Sequence, residues 1–307
     1  MQGMELTEDL FVPAEAGAGE REKIARPTRS GFQDAWIRLK RNKGAVVALV
    51  LLLALVVLAF LGPSFTRFDY YTTDYGAIFQ PPNAVHWFGT DKFGRDEWSR
   101  VWYGTRISLL IAVVAAALDL LVGVTYGSVS ALLGGMADAV MQRVIEVLIG
   151  IPNLIIVILL MMVMPAGIGT LIIAMSISGW ANMARLVRAE ILKLKNQEFV
   201  LAARLLGTPD RRIILRHLIP NTMGVIVINT MFTIPSAIFT EAFLSFIGIG
   251  LQEPKASLGV LINSGFQVIN SHVFLLFVPA AVIVLIMVCF SILGDGLRDA
   301  FDPQMRT

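Results

Sequence analysis

The sequence has few of the residue types on which catalytic and metal sites depend. Its 307 residues include one cysteine and three histidines, and charged residues make up only 16% of the chain. The lone Cys289 lies in an apolar run, which excludes a disulfide within the chain and argues against a cysteine metal site, so we interpret it as a packing residue. The histidines are scattered through separate polar segments, which disfavours a membrane-embedded enzyme with HExxH-like ligands; they are His86, His217 and His272.

Three further absences limit the function. The chain contains no GxxxxGK[ST] stretch, the loop that cradles nucleotide phosphates, so this type of nucleotide site is not expected in it. The net charge of +2 is too small to indicate a nucleic-acid partner. The first thirty or so residues are polar, and the first apolar run is not followed by a small-residue cleavage pattern. We therefore expect no cleavable signal peptide and a first span that remains as a signal anchor.

Apolar residues dominate what is present. They make up 56% of the chain, and the mean hydropathy is +0.71. Soluble domains reach only about 45–50% even when glycine is counted. The composition predicts an all-α integral membrane protein embedded in a lipid bilayer. The apolar runs are long enough for six transmembrane helices, over residues 45–62, 107–133, 137–164, 167–187, 221–247 and 273–293.

The distribution of charge predicts the topology. Nineteen of the 25 lysine and arginine residues lie on the side of the predicted bundle that carries both termini, so the positive-inside rule places the termini in the cytosol. Basic and aromatic residues before the first span predict an interfacial helix. We expect the following division: a cytosolic tail with that helix at 1–44, the first span at 45–62, an extracytoplasmic segment at 63–103, a five-helix domain at 104–295 and a cytosolic tail at 296–307.

The longest charged interruption of the apolar C-terminal half lies at residues 198–220, which we call the coupling segment. Strong helix formers are followed by Gly207, which suits a left-handed turn after a first short helix. Thr208 is predicted as the N-cap and Pro209 as the first residue of a second helix that begins with an acidic turn. Pro220 is predicted to end that second helix.

Both short helices have faces suited to contact. Ala202 and Ala203 expose little side chain, so another protein's backbone could approach the first helix closely. Ile213, Ile214 and Leu218 give the second helix an apolar side. The segment is therefore predicted to be a helix–turn–helix that leaves the membrane and is held by a partner.

The spacing of the alanine pair, the glycine and the proline resembles the EAA loop of permease subunits of ABC importers, whose coupling helix sits in a cleft of the ATP-binding subunit. The usual glutamate of that loop falls at Leu201 here, and Glu198 lies one helical turn earlier on the same face. The resemblance implies that an ATP-binding subunit contacts this segment, and we expect Glu198 to replace in part the contact of the missing glutamate. The expected contact residues are Glu198, Leu201, Ala202, Ala203, Gly207, Thr208, Pro209, Arg212 and Pro220.

Residues 86–109, which we call the signature loop, read HWFGTDKFGRDEWSRVWYGTRISL. They resemble the GTDxxGRDxxSRxxxGxRxSL pattern of the dipeptide/oligopeptide/nickel branch of these permeases. The residues alone predict a glycine-hinged loop in which aspartates pair with arginines, and they include no nucleophile-and-base arrangement. His86 is expected to be structural. The residues that begin the match are Gly89, Thr90, Asp91, Gly94, Arg95 and Asp96.

Two carboxylates lie inside predicted spans and are candidate pathway or gate residues. Asp119, near the middle of the second span, must be paired or wetted, so it is either a structural partner in the bundle or a pathway residue. Glu241, near the outer end of the fifth span, either snorkels to the interface or belongs to an outer gate. A rival function, an ion-coupled carrier, would use both as relay groups, and ATP dependence of uptake would discriminate the two.

Further matches cover EAFLSFIGIG at 241–250 and GDGLRDAFDPQMR at 294–306. Together they imply the transmembrane domain of a type I ABC importer that carries peptides, with dipeptides or nickel as alternatives to oligopeptides. The implied partners are a second, homologous permease in a heterodimer, two ATP-binding subunits and an extracytoplasmic solute-binding protein. ATP and Mg²⁺ would bind those subunits, and no cofactor, metal or catalytic residue is expected in this chain.

Overall fold

The computed structural model describes residues 31–165 and 167–301, and this part of the chain is helical with no β-strand. Residues 1–30 of the tail predicted at 1–44, and residues 302–307 of the tail predicted at 296–307, lie outside the described residues. The helices are α1 (Gly31–Arg41), α2 (Lys43–Leu61), α3 (Glu97–Leu133), α4 (Gly135–Gly150), α5 (Asn153–Val163), α6 (Ile168–Leu194), α7 (Glu198–Leu205), α8 (Asp210–Ile213), α9 (Ile219–Phe246), α10 (Leu258–Phe266) and α11 (Phe274–Phe301).

Six spans are compatible with these helices, as the sequence predicts. Five are long and apolar enough to cross a membrane: Lys43–Phe65, Glu97–Leu133, Ile168–Leu194, Asp210–Phe246 and Phe274–Phe301. The sixth is the pair α4 and α5, which passes the same test only when the two helices are taken together.

The prediction of one continuous third span is wrong, because α4 and α5 meet at an angle of 80°. Pro152 lies at this break and has no backbone N–H to donate. Ile151, the residue before it, is extended (φ −96°, ψ 124°), the conformation that a following proline favours. The second span also begins earlier than expected, at Glu97.

The prediction that Pro220 ends the second coupling helix is also wrong. After α8 the chain forms one π-helical turn, Ile214–Leu218, and continues directly into α9. Pro220 lies in the first turn of α9, where a missing N–H is tolerated. The N-cap of α8 also differs from the prediction. It is Pro209, which is extended (φ −65°, ψ 145°), and not Thr208.

Long apolar helices pack closely around α3. Gly123 and Gly127 of α3 lie against the backbone of α6, and a side chain at Gly123 would come within 2.6 Å of Met183. Small residues at such crossings let transmembrane helices approach each other. On another side, α2 packs on α11, where Ala45 lies against Gly296. Cys289 of α11 is buried in the same core, as predicted for a packing residue.

Candidate functional site

The turn of the coupling segment is a Schellman motif. Gly207 has φ +76°, and its N–H donates to the carbonyl of Arg204 over 2.9 Å. The N–H of Thr208 donates to the carbonyl of Ala203 over 3.1 Å. These two bonds satisfy carbonyls that the end of α7 would otherwise leave free. The prediction of a left-handed Gly207 is confirmed.

The coupling segment has one buried and one exposed set of apolar side chains. Val200, Ile213 and Leu218 are buried at the base of the bundle, together with Val187 and Ile191 of α6. The exposed set, on the open side of the segment, comprises Leu201 (47%), Leu205 (89%) and Leu206 (85%). The first set anchors the segment to the spans, while the second leaves an apolar tip uncovered in this chain.

The other predicted contact residues lie on or near the open side. Glu198, Ala202, Pro209, Arg212 and Pro220 are exposed, and Ala203 and Thr208 are half-buried. Arg204 and Asp210 form an ion pair of 3.4 Å across the turn, with both side chains more than a third exposed. This pair lies in water and contributes little to the stability of the turn.

The signature loop lies at the N-terminal end of α3, away from the coupling segment. Buried charged side chains hold its conformation. Asp91 accepts hydrogen bonds from the backbone N–H groups of Phe93 and Arg95, both over 2.9 Å. The guanidinium of Arg95 donates to the other carboxylate oxygen over 2.7 Å. Gly89 and Gly94 adopt φ of +76° and +71°. The predicted glycine-hinged loop with aspartate–arginine pairing is therefore confirmed.

Asp96 connects this loop to α3. One carboxylate oxygen lies 2.9 Å from Nδ1 of His86, and the other accepts the N–H of Ser99 over 2.9 Å as the N-cap of α3. Thr90 joins the loop to the preceding segment, because its hydroxyl accepts the N–H of Gln80 over 2.8 Å and donates to the carbonyl of Ala77. His86 is structural, as predicted.

Glu253, which the sequence analysis does not single out, also contacts the signature loop. It lies in the connection between α9 and α10, 3.2 Å from Arg95 and 3.7 Å from Lys92. Ser264 donates to the same carboxylate over 3.0 Å. Burial raises the pKa of Glu253, but these neighbours outweigh it and hold the pKa below its ordinary value. Arg95 and Glu253 are more than 150 residues apart in the sequence, so no local sequence pattern predicts their pairing.

The two intramembrane carboxylates have different surroundings. Glu241 is fully buried, and it accepts hydrogen bonds from Ser108 over 2.7 Å and Ser245 over 2.9 Å. Snorkelling of Glu241 to the interface is therefore wrong, because its carboxylate joins α3 to α9 inside the bundle. Asp119 is 7% exposed and lines a cavity of about 250 Å³, as expected for a carboxylate that faces the interior or a cavity.

The polar residues around Asp119 are also not singled out by the sequence analysis, although their spacing in the sequence indicates them. Asn229, Thr233, Ser236 and Thr240 follow one another at intervals of four, three and four residues, so they share one face of α9. A polar stripe inside an apolar span indicates a water-filled or polar interior.

A bidentate ion pair holds the broken span to α6. Arg188 donates to the two oxygens of Asp138 over 2.6 and 2.5 Å, and Ser130 donates to the same carboxylate over 2.5 Å. Nearby, Lys195 donates to the carbonyl of Ala131 over 3.1 Å. These contacts tie α3, α4 and α6 together just before the coupling segment begins. No group of three or more His, Cys, Asp or Glu side chains within the described residues could hold a metal ion.

This arrangement, a bundle of spans with a buried loop at one end and an exposed apolar helix–turn–helix at the other, is that of a transport permease. Residues 123–307 match the family described as binding-protein-dependent transport system inner membrane component. Residues 30–82 match the N-terminal transmembrane domain of oligopeptide transport permease C. The chain belongs to this family of ABC importer permease subunits.

Relatives cover almost the whole chain. An oligopeptide transport system permease protein of Bacillus subtilis is 46% identical over 98% of this chain and 99% of its own length. A dipeptide transport system permease protein of the same organism is 46% identical over 99% of this chain and 96% of its own length. An oligopeptide permease of Escherichia coli is 40% identical over 93% of this chain and 95% of its own length. The protein is thus a multi-pass membrane component of transport.

Proposed function

We propose that this permease forms half of the pathway through which an ATP-driven importer carries oligopeptides across the cell membrane. The observation that carries the proposal is the exposed apolar tip of the coupling segment, which buried apolar side chains anchor to the spans. Near full-length relatives named for oligopeptide transport support the choice of substrate.

The chain contacts an ATP-binding subunit through the coupling segment. The exposed leucines enter a cleft of that subunit, and Gly207 holds α7 at a fixed angle to α8. Movement of the ATP-binding subunits passes through α8 and the π-helical turn into α9, which is continuous with them. Pathway residues on α9 therefore move with the coupling segment.

The remaining parts of the importer lie on other chains. A second, homologous permease completes the pathway, two ATP-binding subunits bind ATP and Mg²⁺ and catalyse hydrolysis, and an extracytoplasmic solute-binding protein delivers the peptide. This chain binds no cofactor of its own. The divisions expected at 44, 62, 103 and 295 separate its tails, first span, extracytoplasmic segment and five-helix domain, with α3 already beginning at Glu97 and α11 continuing to Phe301.

Both termini lie in the cytosol, an orientation supported by the excess of basic residues on that side. Cysteines at Thr72 and Gln252, both exposed, should react with an impermeant maleimide in intact cells, and one at Thr208 should not. Ser257 is unsuitable for this test because it is buried as the N-cap of α10. Labelling of the cysteine at position 208 from outside would show that the orientation is the opposite one.

Transport itself is tested by reconstituting the two permeases, the two ATP-binding subunits and the binding protein in liposomes. ATP-dependent uptake of a radiolabelled tetrapeptide is expected, and uptake that persists without ATP would favour the ion-coupled carrier. Dipeptides are a second candidate substrate, because a dipeptide permease is as similar to the chain as an oligopeptide permease. Competition of the tetrapeptide by dipeptides or by Ni²⁺ distinguishes the candidates.

A further inference from the structure

A cavity of about 250 Å³ lies between α3, α5, α6 and α9. A single water needs only about 10–15 Å³, so the cavity has room for a ligand group as well as water. Asp119, in the wall formed by α3, is the one ionisable side chain among the described lining residues. Exposed Ser236 and Asn182 also line the cavity, so it is open to the surface of the chain.

The carboxylate of Asp119 is buried, and none of the described residues gives it a counter-charge. Its Oδ1 atom has no hydrogen-bond partner in the described part of the chain, and no ion pair involves the residue there. The structure nevertheless makes room for this group, because a Cβ atom at Gly179 of α6 would lie 2.6 Å from that oxygen. An ionised carboxylate without a partner inside a span is costly in free energy. A cation that binds beside it offsets this cost.

Neutral hydrogen-bonding groups surround the carboxylate. The hydroxyls of Thr233 and Thr240 donate to carbonyls of their own helix over 3.0 and 2.9 Å, so each presents an oxygen acceptor to other donors. Ser236 and Asn229 lie on the same face of α9. A single carboxylate with scattered neutral acceptors is too small a ligand set for Ca²⁺ or Mg²⁺. It suits a cation that carries several N–H donors.

We propose that the Asp119 cavity is a transient binding site for a primary ammonium group of the passing peptide. Two sources share this chemistry, the peptide amino terminus and a lysine side chain. The inference rests on the proposed function, because it requires that peptide enters between these helices. Gly179 leaves free the space that this carboxylate occupies.

Charge-selective labelling tests the site without requiring transport. In the assembled importer, a cysteine introduced by Ser236→Cys is treated with a methanethiosulfonate that carries an ammonium group or with one that carries a sulfonate. The ammonium reagent should react faster, and Asp119→Asn should lower the ratio of the two rates by about fivefold or more. The parent chain gives the background, since its lone Cys289 is 2% exposed.

Two comparisons control this measurement. Asp295→Asn removes an exposed carboxylate from α11 and should leave the ratio unchanged. If Asp119→Asn does not assemble, the ratio at Ser236→Cys is compared with that at Gln267→Cys, an exposed position outside the cavity, with Asp119 kept in both. The cavity position should show the higher ratio. Equal ratios at the two positions, or a ratio that Asp119→Asn does not change, would overturn the proposal.

Uptake of two peptides identifies the source of the ammonium group. Trialanine and the same peptide with a central lysine are delivered by the binding protein at saturation. A decrease of about tenfold in the uptake rate of both peptides in Asp119→Asn indicates the amino terminus, and a decrease for the lysine peptide alone indicates the side chain. Unchanged uptake of both would place the site outside the transport route and overturn the proposal. Failure of the unaltered importer to take up peptide would instead reject the proposed function, because the labelling ratio does not depend on it.

Discussion

The signature loop and the coupling segment lie at opposite ends of the same bundle and use the same residue types in opposite ways. Each has a glycine at a positive φ, Gly94 at +71° and Gly207 at +76°. A Cβ atom at Gly94 would collide with the backbone of Asp74, whereas nothing lies within 4 Å of one at Gly207. The signature loop is therefore packed within this chain, and the coupling segment is left open on one side.

The ion pairs of the two regions show the same contrast. Arg95 and Asp91 are 2.6 Å apart and almost fully buried, while Arg204 and Asp210 are 3.4 Å apart and each more than a third exposed. A buried pair commits its loop to one conformation, because breaking it leaves a charge without a partner. An exposed pair imposes no such penalty. The ion pair of the first region is enclosed by this chain, whereas that of the second lies at its surface.

The largest expected effect is that of Gly94→Ala. Left-handed strain and the collision with Asp74 together should destabilise the subunit by roughly 3 kcal/mol or more. Gly207→Ala has the same backbone strain without a collision and should cost about 1–2 kcal/mol. The yield and midpoint temperature of the purified complex measure both effects. Equal losses for the two variants would show that packing does not distinguish the regions.

The ion pairs provide the second comparison. Arg95→Met leaves the buried carboxylate of Asp91 with only the more distant Arg100, at 3.6 Å, and should destabilise the subunit by about 3 kcal/mol. Arg204→Met removes the exposed pair and should cost about 0–1 kcal/mol. Thermal unfolding in detergent gives the order of the two variants. A larger loss for Arg204→Met would mean that the coupling segment depends on its own charges for its shape.

Much of this contrast could be predicted from the sequence, because its signals are local. Helix formers followed by Gly207 predict the left-handed turn of the coupling segment, and the apolar runs predict the spans. What could not be predicted depends on distant residues. Glu253 meets Arg95 and Glu241 meets Ser108 only after folding. The end of a helix predicted at Pro220 is wrong, because a π-helical turn, Ile214–Leu218, joins α8 to α9 just before this residue.

Gly207→Val should affect transport more than stability. A β-branched residue is strained at φ +76°, so the angle between α7 and α8 should change, while the open surroundings leave the fold intact. We expect ATP hydrolysis to continue and peptide uptake to fall by roughly tenfold. Gly169→Val is the control, because that glycine also has open space but no positive φ. Normal uptake by Gly207→Val would remove the requirement for a tight turn.

The smallest expected effect concerns the acidic residue of the coupling segment. Glu198 is exposed in the first turn of α7, and Leu201 is 47% exposed one turn later. Positions three residues apart share a helix face, so the carboxylate of Glu198 can reach the surface that a glutamate at Leu201 would address. We expect Glu198→Arg to weaken the docking of the ATP-binding subunit by about 1 kcal/mol or more, since a pair at a subunit boundary can exceed an exposed surface pair.

Reversing this charge also places a cation at a helix N-terminus, which is unfavourable in itself. Glu198→Gln separates the two effects, because it removes the carboxylate without adding a positive charge. Leu201→Glu in the Glu198→Arg background should partly restore docking by supplying an acid on the same face. Co-purification of the ATP-binding subunit and peptide-stimulated hydrolysis measure all three variants. If Glu198→Arg behaves as the unaltered chain, then the exposed leucines alone hold the partner, and docking at this end of the molecule is apolar.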